Sequence, residues 1–200
     1  MVSIMHDVNI MLDLETLSTE RNAVVVSIGA VVFHPRAQTL GLQFYAICGD
    51  LNVQQYHGRH ISAETFKWWC QQSDAARQVF RDPLEHEPPN STTDDVLADF
   101  SLFYQSAGDN HEKAYLWGNG ADFDNEILRS LYESFGHKAP WDFRLNRCFR
   151  TLKGIFDYIS PPVGTVIAHN ALHDATFQAR YALKVFRQMH LDVAYQDSAE

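Results

Sequence analysis

The sequence has few cysteines, no long apolar run and no segment that resembles a signal peptide. None of its three cysteines has a C-x-x-C spacing, so neither a disulfide framework nor a zinc knuckle is indicated. The longest strongly apolar run, residues 23–33, is far shorter than a membrane span. Asp7 and Asp13 lie where a signal peptide needs a continuous apolar stretch. We therefore expect a cytoplasmic protein that does not associate with a membrane.

Basic residues are also scarce: 16 Lys and Arg stand against 25 Asp and Glu, and the formal net charge is −9. This balance argues against long-range capture of duplex nucleic acid, which depends on many cationic contacts with phosphate. The negative charge is still compatible with an enzyme that binds only a few terminal nucleotides, because divalent ions would neutralise a cluster of acids. The 200 residues contain no repeat and predict a single domain over 1–200, with its core at about 8–190 and a polar C-terminal tail.

Two acids stand inside the apolar segment 11–16, MLDLET. If this segment is a β-strand, Asp13 and Glu15 point to one face, and Leu12 and Leu14 point to the other. Burying two like charges together is costly unless a cation neutralises them, and Mg²⁺ or Mn²⁺ suits carboxylate oxygens. The alternative is an exposed edge strand with solvated acids.

The apolar pattern predicts an α/β fold in which three strands, an antiparallel meander, precede helices and a further strand. Strands are expected over residues 8–15, 24–33, 41–48 and 114–117, and helices over 62–72, 94–106, 124–135, 150–158 and 171–189. The Pro-rich stretch 82–93 is interpreted as a surface loop. The tail beyond Asp192 is expected to fray.

Two aspartates begin helices on the core-facing side. In the last helix, apolar residues recur at intervals of three and four, and Asp174 lies at the start of that stripe. Asp124 stands three and four residues before Ile127 and Leu128, so it also points inward. Asp122 is the competing acid at this position, and we interpret it as a cap of the helix instead.

His169 precedes the last helix in the segment AHNALHDA, and from there its ring can reach the region that Asp174 faces. His173 falls on the polar face of the helix, which favours a solvated side chain. Four acids from three segments are what a two-metal phosphodiester site needs, where one ion activates water and the other stabilises the leaving oxygen. A histidine, which titrates near neutral pH, can accept the proton of that water.

These residues resemble the DEDDh 3'-5' exonucleases of the ribonuclease H-like superfamily. The matching motifs are D-x-E-T at Asp13, F-D at Asp124 and H-x-x-x-x-D from His169 to Asp174, whose spacing selects the histidine subclass. Further stretches, TFKWWCQQSDAAR, LWGNGADFDNEIL, FRTL and AHNALHDATFQAR, are similar to phage and prophage exodeoxyribonuclease VIII-like enzymes and mycobacterial-type 3'-5' exoribonucleases. The resemblance covers about residues 8–190.

The resemblance implies a mixed central sheet of about five strands flanked by helices, and stepwise release of 5'-mononucleotides from a 3' end of single-stranded DNA or RNA. It also implies two Mg²⁺ or Mn²⁺ ions with His169 as general base. The implied metal ligands are Asp13, Glu15, Asp124 and Asp174. Related enzymes are often dimers, which leaves a homodimer open. The family's N-x-x-F-D motif has one extra residue here, so Asn119 is expected either to orient a neighbouring ligand or to form the turn.

Substrate contacts are expected next to these motifs. Thr16 and Leu17 leave the first strand at the metal site and are predicted to contact the terminal nucleotide. Trp68 could stack on a base, but packing in the core is the alternative for both Trp68 and Trp69 and is favoured for Trp69. The basic residues that could reach phosphates are Arg150, Arg147 and Arg144, with a solvated basic edge as the alternative.

Two other functions stay open at this point. One is an inactive nucleic-acid-binding module of the same fold, against which the retention of all five groups argues. The other is an RNase H-type endonuclease, which would not require the H-x-x-x-x-D segment.

Overall fold

A single mixed sheet forms the centre of the computed structural model, which describes residues 8–81, 92–108, 113–163 and 169–197. The strands are β1 (Asn9–Thr16), β2 (Val25–His34), β3 (Thr39–Ile47), β4 (Tyr115–Gly118) and β5 (Asn146–Cys148). Their order across the sheet is β3-β2-β1-β4-β5. The first three pair antiparallel, and β4 is parallel to both β1 and β5. The predicted α/β fold with a mixed five-stranded sheet is confirmed.

Strand β1 is central because apolar side chains cover it on both faces. Leu12 and Leu14 belong to one buried cluster, and Met11 belongs to a second cluster on the opposite face. Asp13 and Glu15 follow Met11 at two-residue intervals, so they share its face. The alternative of an exposed edge strand is therefore wrong.

Helices cover both faces of the sheet. They are α1 (Leu51–Tyr56), α2 (Ala63–Cys70), α3 (Asp74–Arg77), α4 (Thr93–Ala107), α5 (Asp124–Ser134), α6 (Phe149–Ile155) and α7 (Ala171–Asp197), with 3₁₀ turns at Gln78–Phe80 and Phe143–Leu145. Helices α4 and α5 pack on the face of Leu12, and α7 packs on the face of Met11. In the described ranges, no helix has the length and apolarity needed to cross a bilayer.

The predicted elements and the observed ones differ mainly in the short segments and at the C-terminus. Strand β5 and helices α1 and α3 were not predicted, because three to six residues are too few to show a period. Helix α7 continues to Asp197, so the predicted fraying beyond Asp192 is wrong up to that residue; no Gly or Pro stops the helix. Residues 82–91 of the predicted Pro-rich loop lie outside the described residues.

Gly29 in β2 determines how closely α7 approaches the sheet. It pairs with Asp13 across the β1–β2 ladder. A Cβ atom at this position would overlap the backbone of Ala171 and Leu172 at the start of α7. The helix therefore begins directly on the sheet, and residues 169–174 lie beside the end of β1.

Candidate active site

The carboxylate of Asp124 is held at the carboxyl end of β1. The backbone N–H of Leu14 donates to its Oδ1 at 3.3 Å, and that of Asn119 donates to its Oδ2 at 2.9 Å. Because β1 and β4 are parallel neighbours, their carboxyl ends lie side by side at the same end of the sheet. A Cβ on Gly118, the last residue of β4, would lie only 2.9 Å from the Asp124 Cβ. Glycine at this position therefore allows the aspartate to approach the strand.

The expectations for the neighbouring turn are partly wrong. Asp122 is exposed and does not cap α5, because the residue before the helix is Phe123 and no side chain makes a capping hydrogen bond. Asn119 does orient a neighbouring group, but through its backbone N–H on Asp124 rather than through its side chain. The extra residue in the motif thus leaves Asp124 in place.

Asp174 and His169 are fixed to each other at the start of α7. The backbone N–H of His169 donates to Asp174 Oδ2 at 2.8 Å, and the N–H of Asp174 donates to the carbonyl of Asn170 at 2.9 Å. His169 has a φ of +63°, in the left-handed region that few non-glycine residues adopt. One ligand atom each of Glu15, His169 and Asp174 lies within 4.8 Å of the others. His173 is exposed, as predicted.

The carboxylate of Asp13 has a partner that the sequence did not reveal. Gln178, one helical turn after Asp174, donates from Nε2 to Asp13 Oδ1 at 2.7 Å. Gln178 is only 7% exposed. The helical periodicity places Gln178 in the buried stripe of α7, but it does not identify Asp13 as the hydrogen-bond partner.

Burial raises the pKa of each of the four acids, and the charges of neighbouring acids add to the shift at Asp13 and Glu15. Burial raises the pKa of Glu15 to about 8, and the charges of Asp174 and Asp124 add to the shift. Burial raises the pKa of Asp124 to about 7, although backbone N–H donors oppose the change. The pKa of Asp13 lies well above its usual range because of burial and then the charges of Asp124, Glu15 and Asp174. Burial also raises the pKa of Asp174.

This electrostatic pattern fits divalent cations. Burial and the charges of neighbouring acids disfavour the ionised carboxylates, and a bound cation would offset this cost. Carboxylate oxygens are the donors that Mg²⁺ and Mn²⁺ prefer. The residues present therefore fit the implied metal ions.

Two tryptophans of α2 surround the His169 ring. The ring centroid of Trp68 lies 4.8 Å from that of His169, and the centroid of Trp69 lies 6.0 Å away, both edge-on. Trp69 is 3% exposed and donates from Nε1 to the carbonyl of Thr16 at 2.9 Å, so its predicted core packing is confirmed. Trp68 is 41% exposed and thus presents a free aromatic surface beside His169.

Thr16 and Leu17 lie at the end of β1, where the register of the β1–β2 ladder shifts. The Thr16 hydroxyl donates to the carbonyl of Ser18 at 2.7 Å, and Leu17 packs in a small cluster with Trp69. Both residues are buried. Their contact with a terminal nucleotide stays a prediction.

Arg150 lies at the rim of the acidic centre. Its Nη2 donates to the carbonyl of Asn119 at 2.7 Å, and its charge lowers the pKa of Asp124 against the effect of burial. The side chain is exposed. This position suits the predicted contact with a phosphate.

The other two arginines have partners of their own. The Arg147 guanidinium lies 3.7 Å from the centre of the Tyr115 ring. Arg144 pairs with Asp142 at 3.3 Å. Both therefore fit a structured basic edge better than a site for phosphate.

Cavities open on both sides of His169 and Asp174. One, of about 360 Å³, is lined by His169 and Asn170 together with Tyr45, Gln78 and Arg81. The other, of about 390 Å³, lies between α6 and α7. It is lined by Asn119, Phe149, Lys153, Pro161, Asp174, Phe177, Gln178 and Tyr181. Open space therefore adjoins His169 in the first cavity and Asp174 in the second.

Comparison with solved structures places the fold among exonucleases. The nuclease domain of 3'hExo, a DEDDh family member bound to rAMP, superposes with a TM-score of 0.60 at 14% identity over 94% of this chain and 95% of that one. E. coli Exonuclease I in complex with a dT13 oligonucleotide gives 0.64 at 12% identity over 95% of this chain and 43% of that one. A zinc-bound form of the same enzyme with single-stranded DNA gives 0.61 at 13% identity over 97% and 43%.

Comparison of the sequence gives the family. No curated protein matches the chain significantly. The family model for the 3'-5' exoribonuclease Rv2179c-like domain matches residues 8–186. This range contains all four acids and His169. The resemblance to the DEDDh exonucleases that the motifs indicate is confirmed. The chain therefore belongs to the 3'-5' exoribonuclease Rv2179c-like domain family and is a 3'-5' exonuclease with a ribonuclease H-like fold.

Proposed function

We propose that this protein is a metal-dependent exonuclease that removes 5'-mononucleotides from the 3' ends of single-stranded RNA or DNA. The observation that carries the proposal is the convergence of four acids with His169 at one end of β1. Three ligand atoms of this group lie within 4.8 Å of one another. Burying several carboxylates together costs free energy. Such clusters are therefore found mainly at functional sites.

The four acids would hold two Mg²⁺ or Mn²⁺ ions. They are Asp13, Glu15, Asp124 and Asp174. When bound, such a pair of ions supplies Lewis-acid chemistry, which lowers the pKa of water and stabilises charge on phosphate oxygens. A solved neighbour, E. coli Exonuclease I, has a zinc-bound form, which supports divalent cations as the class.

His169 acts as the general base. It takes one proton from the attacking water as the water oxygen bonds to the scissile phosphorus. As this bond forms, the bond from phosphorus to the 3' oxygen of the retained strand breaks, and that oxygen takes a proton from solvent water and leaves as a hydroxyl. The hydrogen bond from the His169 backbone to Asp174 and the rings of Trp68 and Trp69 support the imidazole in position.

The substrate would contact apolar and basic side chains around the site. Trp68 offers an aromatic surface on which a base can stack, Thr16 and Leu17 form the wall for the last nucleotide, and Arg150 reaches a phosphate. RNA is the first substrate to test, given the description of the family. DNA stays a candidate, because discrimination depends on a few contacts to the 2'-hydroxyl.

We further infer that the chain is one domain over residues 1–200 and works in the cytoplasm. A homodimer is part of the same proposal. Size-exclusion chromatography with light scattering measures the oligomeric state directly.

The activity is tested with matched RNA and DNA strands that carry a label at the 5' end. With Mg²⁺ or Mn²⁺ we expect a ladder of shortening labelled products, none in EDTA, and none with the Asp13→Asn variant. Discrete internal cuts would identify an endonuclease instead. Strand binding without any cleavage would identify the inactive binding module.

A further inference from the structure

The cavity between α6 and α7 contains a cation that the proposed reaction does not use. Lys153 lines this cavity together with Asn119, Asp174 and Gln178. Its side chain is half-buried, and its ammonium lies 5.7 Å from the centre of the Phe149 ring. Among the described residues no carboxylate forms an ion pair with Lys153, although Asp174 lines the same cavity.

Arg150 adds a second cation at the mouth of this cavity. It stands three residues before Lys153 on α6, so both side chains project from the same side of the helix. Its hydrogen bond to Asn119 holds it next to a residue that also lines the cavity. Lys153 and Arg150 thus supply two positive charges beside the acidic centre of a chain whose formal net charge is −9, and the charge of Arg150 acts on Asp124.

We propose that the cavity between α6 and α7 binds a second phosphate of the nucleic-acid strand, through the ammonium of Lys153 and with Arg150 at its mouth. The proposal rests on the proposed function, in which the scissile phosphate lies among the four acids. The 3'-terminal nucleotide carries only the scissile phosphate. A second phosphate beside it therefore belongs to the retained strand, which leaves the site along α6.

Other features of the cavity agree with a nucleotide unit. The amide oxygens of Asn119 and Gln178 are buried and find no hydrogen-bond partner among the described residues. Hydroxyl groups of a sugar can donate to such oxygens. Phe149, Phe177 and Tyr181 supply an apolar wall. A volume of about 390 Å³ leaves space for a phosphate with part of its nucleotide.

The test compares Lys153→Gln with the wild type and with Lys138→Gln. Lys138 is exposed and lies in a different cavity with Asp94 and Asp95, on the side of α4 and α5. Two substrates are used: a single-stranded oligonucleotide and thymidine 5'-monophosphate p-nitrophenyl ester, which has only one phosphodiester. For Lys153→Gln we expect KM for the oligonucleotide to rise about tenfold, with hydrolysis of the ester unchanged. Lys138→Gln should match the wild type on both.

Salt dependence separates a phosphate contact from a structural effect. The slope of log KM, or of log Kd for the same oligonucleotide in EDTA, against log salt should fall by about 0.7 in Lys153→Gln. An unchanged slope and KM, or equal impairment of both substrates, would overturn the proposal. If the protein hydrolyses neither substrate, the proposed function fails, but the slope of binding in EDTA still decides whether Lys153 contacts phosphate.

Discussion

The side-chain amide of Gln178 donates a hydrogen bond of 2.7 Å to the carboxylate of Asp13. The two residues come from α7 and β1, so this bond joins the helix that carries Asp174 to the strand that carries the other acids of that face. Gln178 is almost fully buried, which restricts the orientations that its side chain can adopt. The amide thus limits the Asp13 carboxylate to one orientation.

We expect Gln178→Leu to weaken the binding of divalent ions. Groups that orient metal ligands are commonly worth about 10- to 100-fold in metal affinity. Calorimetric titration of the protein with Mn²⁺, without nucleic acid, measures this loss. The matched control is Gln54→Leu, a fully buried glutamine that bonds to the backbone of Val25, away from the acids. If both variants bound Mn²⁺ as the wild type does, Gln178 would have only a packing role.

Gly29→Ala is expected to lower both stability and activity. The new methyl group would overlap the backbone of Ala171 and Leu172, and the start of α7 must move to admit it. Overpacking of this kind costs about 1–3 kcal/mol, and the movement displaces His169 and Asp174. Thermal unfolding and turnover of a labelled strand measure the two effects. Gly154→Ala is the control, since a Cβ there contacts nothing within 4 Å, and a loss of the same size in that variant would contradict the explanation.

The protein without metal should become less stable as the pH rises from about 5 to about 8. In the folded state the pKa of Glu15 is raised to about 8, whereas the unfolded carboxyl loses its proton near 4.5. Between these values the unfolded state binds fewer protons, so the free energy of unfolding falls with rising pH. The raised pKa of Asp124, about 7, acts in the same direction.

Denaturant unfolding in EDTA at several pH values, with Glu15→Gln as the comparison, measures this effect. The variant cannot ionise at this position. Its free energy of unfolding should therefore rise relative to that of the wild type by about 3–5 kcal/mol between pH about 5 and about 8. Added Mg²⁺ should stabilise the wild type most at the alkaline end, where the acids are charged. A difference between the two proteins that does not change with pH would contradict the raised pKa of Glu15.

The sequence predicted the parts of the site that depend on short-range patterns. The alternation in β1 placed Asp13 and Glu15 on one face, and the helical period placed Asp124 and Asp174 at helix starts that point inward. These periods follow from backbone geometry and need no knowledge of the partner. The helix cap predicted for Asp122 failed, because the start of a helix depends on one or two residues of the turn.

The residues that support the site were harder to predict because their partners are distant in the sequence. Gln178 is 165 positions from Asp13, and nothing local distinguishes it from other polar residues of α7. Gly29 did leave a signal, since a glycine inside an apolar strand often marks the close approach of another backbone. Lys153 left no signal in the sequence, because its proposed role depends on the cavity that α6 and α7 form together.

The central claim is that His169 and the four acids form one catalytic centre for release of nucleotides from a 3' end. The rate of mononucleotide release by His169→Ala, measured across neutral pH with saturating Mg²⁺, tests it most directly. We predict a loss of about 10²- to 10⁴-fold, the usual contribution of a general base, with strand binding in EDTA unchanged. Release at the wild-type rate throughout this pH range would contradict the account.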